Sequence, residues 1–467
     1  MHWLPVVLVL ALLGAAAAGY RFELGERWFG VEEPDPVREP AAVAPPEGLE
    51  VPALERPSAV AAAAPSRALS RPAVRSALAR GLRDRDLGRS VHAAVAPLDG
   101  GPLVFESGSG AFVPASSTKV VTAAAALAEL GPDHRFTTQV VGRRGALTLV
   151  GGGDPNLLAR PAAAGEWPPQ ADVVDLAQQT ARSLREQGWR RPVRLSYDDS
   201  LFAGPVDNPY WRADYLADDI VSPISALWVD EGVDPDGFGR SDDPARVAAD
   251  AFASALRGRG VRIAGPIRPG TAPRRGADEL ASVASAPLSA VVERVIEVSD
   301  NEGAEVLARH VAIARGEKPS FGGAARAVTA SLQDLGVPLA GVVLRDGSGL
   351  SRAGRLTGAA LVAVLQAAAD PDRPELRPLL TGLPVGGFTG SLATRFDTAP
   401  RAGVGRVRAK TGTLTGVRAL AGVATDRAGT PMAFVLSADR IRYNNTLEAE
   451  QHLDELAGTL GACRCTR

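Results

Sequence analysis

Lysine is scarce in this chain of 467 residues. Of its 51 lysines and arginines, only three are lysine: Lys119, Lys318 and Lys410. Arginine keeps its proton in a protein, whereas a desolvated lysine can lose it. Lys318, in the segment RGEKPS, is interpreted as an ordinary surface charge. Lys119 and Lys410 are therefore candidates for chemistry that arginine cannot perform.

The residues that other functions would require are also few, or do not show the spacing that those functions need. The formal net charge is only -2 and basic residues are interspersed with acidic ones, so no nucleic-acid partner is expected. The five histidines show no H-x-x-x-H or comparable spacing, and no metal or other cofactor is expected. The two cysteines, Cys463 and Cys465, neither open a helix nor lie in a Gly-rich turn, which disfavours a catalytic thiol. A disulfide between them would close a small strained ring, and the sequence leaves it open.

The N-terminus carries a long apolar run. No charge interrupts the chain from Trp3 to Gly19, a length close to the ~20 residues of a membrane span, and Ala15-x-Ala17 also suits a signal-peptide cleavage site. Residues 1–20 are predicted to be a signal peptide or membrane anchor. The body is therefore expected outside the cytoplasm, periplasmic or in the cell envelope, either secreted or anchored to the cytoplasmic membrane. Residues 21–78 are rich in Pro and Ala and are predicted to form a linker.

Beyond the linker, the hydrophobic pattern changes between strand and helix periods. Hairpins are predicted over SVHAAVAPLDGGPLVFES and RFTTQVVGRRGALTLV, with a final hairpin and helix at the C-terminus. Helices are predicted over 116–130, 171–188, 244–258, 288–316 with a break at 299–301, and 357–369. This order favours an α/β domain that is closed by its two chain ends and interrupted by an insert. The predicted domains are a catalytic body over 79–139 and 276–467 and an inserted α+β domain over 140–275.

The first motif lies in PASSTKVV, where a serine at a predicted helix start precedes a lysine by three residues. Positions i and i+3 share a helix face, so Lys119 can reach the Ser116 hydroxyl. A serine nucleophile needs an adjacent base, and lysine can be that base when burial and a neighbouring positive charge lower its pKa. Ser116 is also predicted to cap the helix. S-x-x-K alone is weak evidence, because such tetrapeptides arise by chance.

The second motif is Ser299-Asp300-Asn301, in the predicted break between two helices. Its hydroxyl could pass protons, and its amide could hold both a lysine and a substrate carbonyl. An Asx-type cap for the following helix explains the same residues equally well.

The third motif, Lys410-Thr411-Gly412-Thr413, lies at a predicted strand end. Gly412 would let a ligand backbone approach, and Lys410 with the two threonine hydroxyls suits a carboxylate. The alternative is a surface strand followed by a turn.

Together the three motifs are far more specific than each one alone. S-x-x-K, S-D-N and K-T-G, in this order, form the signature of penicillin-binding proteins and class A β-lactamases. With GGGDPNL, RDGSGLSR, LPVGGFTGSL and AKTGTL, the chain resembles the D-alanyl-D-alanine carboxypeptidase/endopeptidase family, the low-molecular-mass class C penicillin-binding proteins. This resemblance implies a multidomain α/β protein with the penicillin-binding-protein/β-lactamase-like transpeptidase fold. Its sheet and helical subdomain would be interrupted by one inserted α+β domain.

The resemblance also implies roles for the motif residues. The implied catalytic residues are Ser116, Lys119 and Ser299, and the implied substrate-binding residues are Asn301, Lys410, Thr411, Gly412 and Thr413. Ser116 would form an acyl-enzyme with peptidoglycan peptides ending in D-Ala-D-Ala, and β-lactam antibiotics would acylate the same hydroxyl. Association with the membrane would involve only the N-terminal segment.

Two other functions remain open at this point. A β-lactamase of the same superfamily needs efficient deacylation, often through a second carboxylate, and the sequence positions no such acid. A catalytically silent cell-wall binding protein would keep the fold, but the intact Ser116, Lys119 and Lys410 disfavour it. The sequence does not distinguish carboxypeptidase from endopeptidase activity.

Overall fold

The described part of the chain begins after most of the predicted linker. A computed structural model describes residues 68–466 except 109, 144, 164, 166, 274, 275 and 397–400. The predicted signal peptide or anchor and most of the linker lie outside the described residues. Within them, no helix is both long and apolar enough to span a bilayer.

The described residues form ten strands and ten α-helices. The strands are β1 (Ser90–Pro97), β2 (Phe105–Ser107), β3 (Thr137–Arg143), β4 (Ala146–Val150), β5 (Arg194–Asp198), β6 (Arg268–Pro269), β7 (Asp278–Ala284), β8 (Val407–Leu414), β9 (Val417–Thr425) and β10 (Pro431–Asp439). The helices are α1 (Arg71–Leu78), α2 (Thr118–Leu130), α3 (Val173–Glu186), α4 (Pro244–Gly258), α5 (Leu288–Glu297), α6 (Asn301–Ala314), α7 (Phe321–Asp334), α8 (Gly358–Ala369), α9 (Pro378–Thr381) and α10 (Thr446–Ala462).

The first sheet has the strand order β2-β1-β10-β9-β8, and all its neighbouring strands are antiparallel. Strand β1 pairs with β10 from Ser90 opposite Asp439 to Pro97 opposite Met432. The two ends of the described chain therefore meet in the middle of one sheet, as the order of the predicted elements indicates. Strand β8, which carries the K-T-G motif, lies at one edge.

Helix α2 is the central helix of the largest hydrophobic core. Every residue from Thr118 to Leu127 is buried, so this helix has no polar face and must be enclosed on all sides. It packs among α5, α6, α7 and α8, beside the first sheet. A lysine in its first turn is consequently forced into the protein interior.

The opposite face of the first sheet is covered by α1 and α10. The predicted linker over 21–78 is wrong at its C-terminal end, where the chain forms α1. Val74 and Leu78 are buried in this core, and Ser70 caps the start of the helix. Its two apolar residues lie one helical turn apart and face α10, so packing prevails over the Pro- and Ala-rich composition.

Just after α10, Cys463 and Cys465 form a disulfide, which answers the question that the sequence left open.

The sequence pattern also missed helix α7. Ser320 caps it by accepting a hydrogen bond from Gly323 N, and Phe321, Ala327 and Leu332 are buried on its inner face. Gly322 and Gly323 in its first turn weaken the helical signal, because glycine is a poor helix former.

A second sheet, in the order β6-β5-β4-β3-β7, overlaps the predicted insert and extends beyond it at both ends. Its β4, β5 and β6 are parallel, whereas β3 is antiparallel to both β4 and β7. Helices α3 and α4 pack on this sheet and share its separate hydrophobic core. The sheet spans Thr137 to Ala284. The boundaries at 140 and 275 stay a prediction.

Candidate active site

Ser116 lies in a short 3-10 turn, Ala115–Ser117, immediately before α2. The preceding Ala115 has a φ of 48°, a left-handed conformation that is strained for a non-glycine residue and recurs at functional sites. The prediction that Ser116 caps α2 is wrong, because Ser117 is the N-cap residue and no side chain caps the helix. The extra turn instead directs the Ser116 hydroxyl to Lys119, whose Nζ donates to it over 3.1 Å.

The ammonium group of Lys119 is completely buried and makes three hydrogen bonds. Besides Ser116 Oγ, it donates to Asn301 Oδ1 over 2.7 Å and to the Ser348 carbonyl over 2.9 Å. Burial lowers the pKa of Lys119 to about 8, against the opposing effect of nearby carboxylates, of which Asp300 is the strongest. The predicted contact between Lys119 and Ser116 is thus present, with a lysine that can lose its proton near neutral pH.

The S-D-N motif is both a helix cap and part of the site. Asp300 Oδ1 accepts from Gly303 N over 2.8 Å and caps α6. Ser299 has a φ of 63°, a left-handed conformation like that of Ala115 in the first motif. The cap is therefore present, and the loop that it fixes carries Asn301 to Lys119. The catalytic role of Ser299 and the substrate-binding role of Asn301 stay predictions.

Lys410 lies deeper than the sequence indicates. Its side chain is fully buried, and its Nζ donates to the Thr411 carbonyl over 2.9 Å. Burial, and secondarily the charge of Lys119, lower its pKa well below the usual value. The hydroxyl of Thr411 lies 2.9 Å from that of Ser391, a residue in LPVGGFTGSL that the sequence analysis did not single out.

One cavity of about 410 Å³ joins the three motifs. Its lining residues are Ser116, Arg212, Tyr215, Ile220, Ser299, Asn301, Leu350, Thr411, Thr413, Leu414 and Thr415. Arg212, Tyr215 and Ile220 come from the insert, and no sequence motif marked them. Lys410 is not among the lining residues, so Thr411 and Thr413 present the K-T-G motif to the cavity and Lys410 lies behind them.

The loop after α7 supplies a support that the sequence did not reveal. Glu305, buried on α6, accepts from Ser348 N over 2.8 Å and from Gly347 N over 3.0 Å. Asp346 accepts from Gly349 N, Ser351 N and the indole of Trp211. These two carboxylates fix the loop whose Ser348 carbonyl contacts Lys119.

Gly412 has a packing role in the protein, in addition to the approach of a ligand that the sequence predicts. A Cβ at this position would lie 2.7 Å from the Pro114 carbonyl and 3.1 Å from Ser117 Oγ. The missing side chain therefore lets β8 pack directly against the turn that carries Ser116.

We expect Gly412→Ala to push β8 away from that turn and to slow acylation by penicillin about tenfold, because small misplacements of reacting groups are costly. The measurement is the acylation rate constant, compared with that of Gly429→Ala, where the added Cβ meets nothing within 4 Å. Gly429 has a φ of 82°, so this control carries backbone strain without the contact. An unchanged rate in Gly412→Ala would contradict the close-packing explanation.

The acylation rate of the unmodified protein is expected to rise with pH. If Lys119 is the base that the S-x-x-K motif predicts, it must be neutral to accept the Ser116 proton. With its pKa at about 8, the neutral fraction of Lys119 falls roughly tenfold for each pH unit below that value. The rate should therefore increase between about pH 6 and 8 and then level off. Stopped-flow measurements with excess penicillin, paired with melting temperatures at each pH, test this profile. A flat profile in folded protein would argue against Lys119 as the base.

Two groups of described residues have ligand atoms close enough to hold a cation. They are Asp84, Asp86 and His452 at α10, and Glu231, Asp300 and Glu302 behind the S-D-N loop. In the second group, Arg294 lies 2.6 Å from Glu231, and Arg240 lies 3.4 Å from Glu302. Arginine charges therefore already compensate Glu231 and Glu302, while Asp300 caps α6, and neither group enters the chemistry below.

One cavity joins a partly exposed serine beside a buried lysine, an S-D-N loop and a K-T-G strand. This combination defines a penicillin-recognising serine hydrolase. Over residues 74–235 and 237–460 the chain matches the D-Ala-D-Ala carboxypeptidase 3 (S13) family, and it belongs to that family. The family that the motifs predict is confirmed, and with it a serine-type D-Ala-D-Ala carboxypeptidase.

Individual relatives agree with this assignment. A carboxypeptidase of Mycobacterium tuberculosis is 39% identical over 440 residues, which cover 92% of this chain and 91% of that protein. Carboxypeptidase DacB of Mycolicibacterium smegmatis is 36% identical over 471 residues, covering 98% and 96%. Penicillin-binding protein 4 (DacB) of Haemophilus influenzae has a similar structure, with a TM-score of 0.66 at 22% identity over 83% of this chain and 98% of that one. The predicted fold is thereby confirmed.

Proposed function

We propose that Ser116 is the nucleophile that attacks the D-Ala-D-Ala peptide carbonyl in peptidoglycan stem peptides, with Lys119 as its base. The supporting observation is the contact of 3.1 Å between Lys119 Nζ and Ser116 Oγ inside a cavity. The Ser116 proton passes to Lys119 as the new ester bond forms. The peptide C–N bond then breaks, and the leaving D-alanine amine receives a proton through Ser299.

Water completes the cycle by hydrolysing the ester and freeing Ser116. The backbone N–H groups of Ser116 and Thr413 form the oxyanion hole in this proposal, since preorganised donors stabilise the developing negative charge. The substrate's terminal carboxylate binds the hydroxyls of Thr411 and Thr413. The buried Lys410 lies behind them, and a bound carboxylate would favour its protonated form, since a nearby negative charge raises the pKa of a lysine.

β-Lactams acylate the same serine in this proposal. Penicillin-binding protein 4 of Haemophilus influenzae, which shares the fold, has also been solved in complex with a β-lactam. In this chain the ring carbonyl would occupy the place of the scissile peptide carbonyl, and Ser116 would open the ring. The same site would serve carboxypeptidase cleavage and endopeptidase cleavage of cross-linked peptides.

The test is release of D-alanine from a diacyl-D-Ala-D-Ala peptide, with the diacyl-L-Ala-L-Ala peptide as control. We expect release from the D,D peptide only, and its loss after preincubation with penicillin. Absence of release together with rapid hydrolysis of penicillin would support a β-lactamase instead. No reaction with either compound would support a silent cell-wall binding protein.

The proposed place of action is outside the cytoplasm, in the periplasm or cell envelope. The substrate class lies there, and the disulfide between Cys463 and Cys465 fits an oxidising compartment. The apolar run at the N-terminus is the proposed signal peptide or anchor. Cell fractionation followed by penicillin labelling should locate the protein in the envelope, and recovery only from the cytoplasm would contradict this.

A further inference from the structure

The amide of Asn301 can face Lys119 in two ways, and only one of them suits the proposed chemistry. In the structure its Oδ1 accepts from Lys119 Nζ over 2.7 Å. If the amide turned over, its NH2 group would meet the lysine ammonium donor to donor. A second contact, on the other side of Asn301, favours the same orientation of the amide.

That contact comes from the insert. Asn301 Nδ2 donates to the main-chain carbonyl of Ile220 over 2.9 Å. A carbonyl only accepts hydrogen bonds, so it rejects the flipped amide just as Lys119 does. The bond uses one of the two Nδ2 hydrogens, and the second stays available to a substrate carbonyl, since Asn301 and Ile220 both line the cavity.

The Ile220 carbonyl lies in a segment that is attached at both ends, through Asp219 and Ser222. Ser222 N donates to Glu302 Oε1 over 2.9 Å, which ties the segment to the residue that follows Asn301. On the other side, Asp219 Oδ1 lies 2.6 Å from Nε of Arg240. Asp219 has a φ of 59°, so this tight bend needs external support.

Arg240 joins both attachments. Its Nη2 lies 3.4 Å from Glu302 Oε1, and its Nη1 donates to the Glu231 carbonyl over 3.3 Å. The guanidinium is mostly buried, with 14% of the side chain exposed, and Glu302 is 4% exposed. The pair with Glu302 is therefore shielded from solvent, whereas the Asp219 side chain is 57% exposed. The planar guanidinium thus links an exposed carboxylate on the 219–222 segment to a buried one on α6.

We infer that Arg240 is a positioning residue for acylation, because it clamps residues 219–222 of the insert against Glu302 and so keeps the Ile220 carbonyl on Asn301. This inference rests on the proposed function of Ser116 and Lys119. It gives the insert a defined part in the reaction, in addition to lining the cavity.

The test compares acylation rate constants per active molecule. The variants are chosen to distinguish an effect of Arg240 on the position of Asn301 from an effect on folding. Arg240→Met alone leaves the buried Glu302 unpaired, so the informative variant is Arg240→Met combined with Glu302→Gln. The replacement amide can still accept from Ser222 N, and Glu302→Gln alone shows its own effect. Arg240→Lys keeps the charge but cannot bridge both carboxylates. The control is Arg246→Met, which removes an exposed ion pair with Asp250 in the same insert.

The rate constant for acylation is measured by stopped flow with a fluorescent penicillin, and the active fraction is taken from the amplitude. We expect the double variant to acylate about 10- to 100-fold more slowly than Glu302→Gln alone, with Arg240→Lys in between and Arg246→Met unchanged. A role in folding alone would lower the active fraction and the melting temperature but not this rate constant.

The outcomes distinguish this inference from the function on which it rests. If the unmodified protein is acylated and the double variant reacts at the rate of Glu302→Gln, Arg240 is not a positioning residue and the inference fails alone. If the unmodified protein is never acylated, the proposed function fails and the inference fails with it.

Discussion

Lys119→Arg should abolish acylation by penicillin, with a rate at least about a thousandfold below that of the unmodified protein. The substitution keeps a positive charge next to Ser116 but removes the proposed base, because arginine does not lose its proton in proteins. Lysine can do so here, since complete burial lowers its pKa to about 8. The variant therefore separates the electrostatic contribution of this position from its role in proton transfer.

The chain provides a matched control for this variant. Lys318→Arg makes the same substitution at an exposed lysine, and it should acylate at the normal rate. Circular dichroism and melting temperature establish that Lys119→Arg is folded, because arginine is the larger side chain. A folded Lys119→Arg protein that still bound labelled penicillin covalently would contradict the assignment of Lys119 as base.

Glu305→Leu should lower both the stability and the acylation rate. The buried carboxylate accepts from Ser348 N over 2.8 Å and Gly347 N over 3.0 Å, and leucine would leave both donors without it. Each unsatisfied buried donor costs about 1–3 kcal/mol of unfolding free energy. The loosened loop would also displace the Ser348 carbonyl from Lys119, so we expect acylation to fall about 100-fold. Denaturant unfolding and the acylation rate of the folded fraction measure the two effects.

Glu305→Gln is the matched control for that change. Oε1 of Glu305 accepts from both Ser348 N and Gly347 N, so an amide oxygen in its place can retain these two bonds. The additional bond from Gly347 N to Oε2, 3.1 Å long, would be lost. The Gln variant should keep most of the stability and of the rate. If Leu and Gln variants behaved alike, the negative charge of Glu305, rather than its hold on the loop, would be the important property.

The motifs predicted the centre of the site because local chemistry determines it. Ser116 and Lys119 are three residues apart on one helical turn, so their contact follows from helix geometry. The scarcity of lysine also marked Lys119 and Lys410 independently of the S-x-x-K and K-T-G motifs. The helix break at Ser299 was visible for the same reason, since it depends on a local cap.

Contacts that depend on tertiary structure could not be predicted in this way. Ile220 meets Asn301 only because the insert folds back over the cavity, and nothing in its own segment signals a catalytic neighbour. Glu305 is one acidic residue among many until α6 is placed beside the 346–351 loop. The cap expected of Ser116 was wrong for a local reason. An extra 3-10 turn precedes α2, so that Ser117 occupies the N-cap position, and its side chain makes no capping hydrogen bond.

Helix α1 also depends on a tertiary contact that the sequence pattern did not predict. Its Pro- and Ala-rich surroundings indicate a linker, whereas Val74 and Leu78 become buried against α10, more than 350 residues away along the chain. Helix α10 and the first sheet supply the surface on which this short segment is stable. Composition alone cannot reveal a partner so distant in sequence.

Mass spectrometry of the purified protein after incubation with penicillin tests the central claim most directly. The account predicts one covalent adduct per molecule, located on the peptide that contains Ser116 and absent from Ser116→Ala. A folded protein without any adduct, or an adduct on a residue other than Ser116, would contradict it.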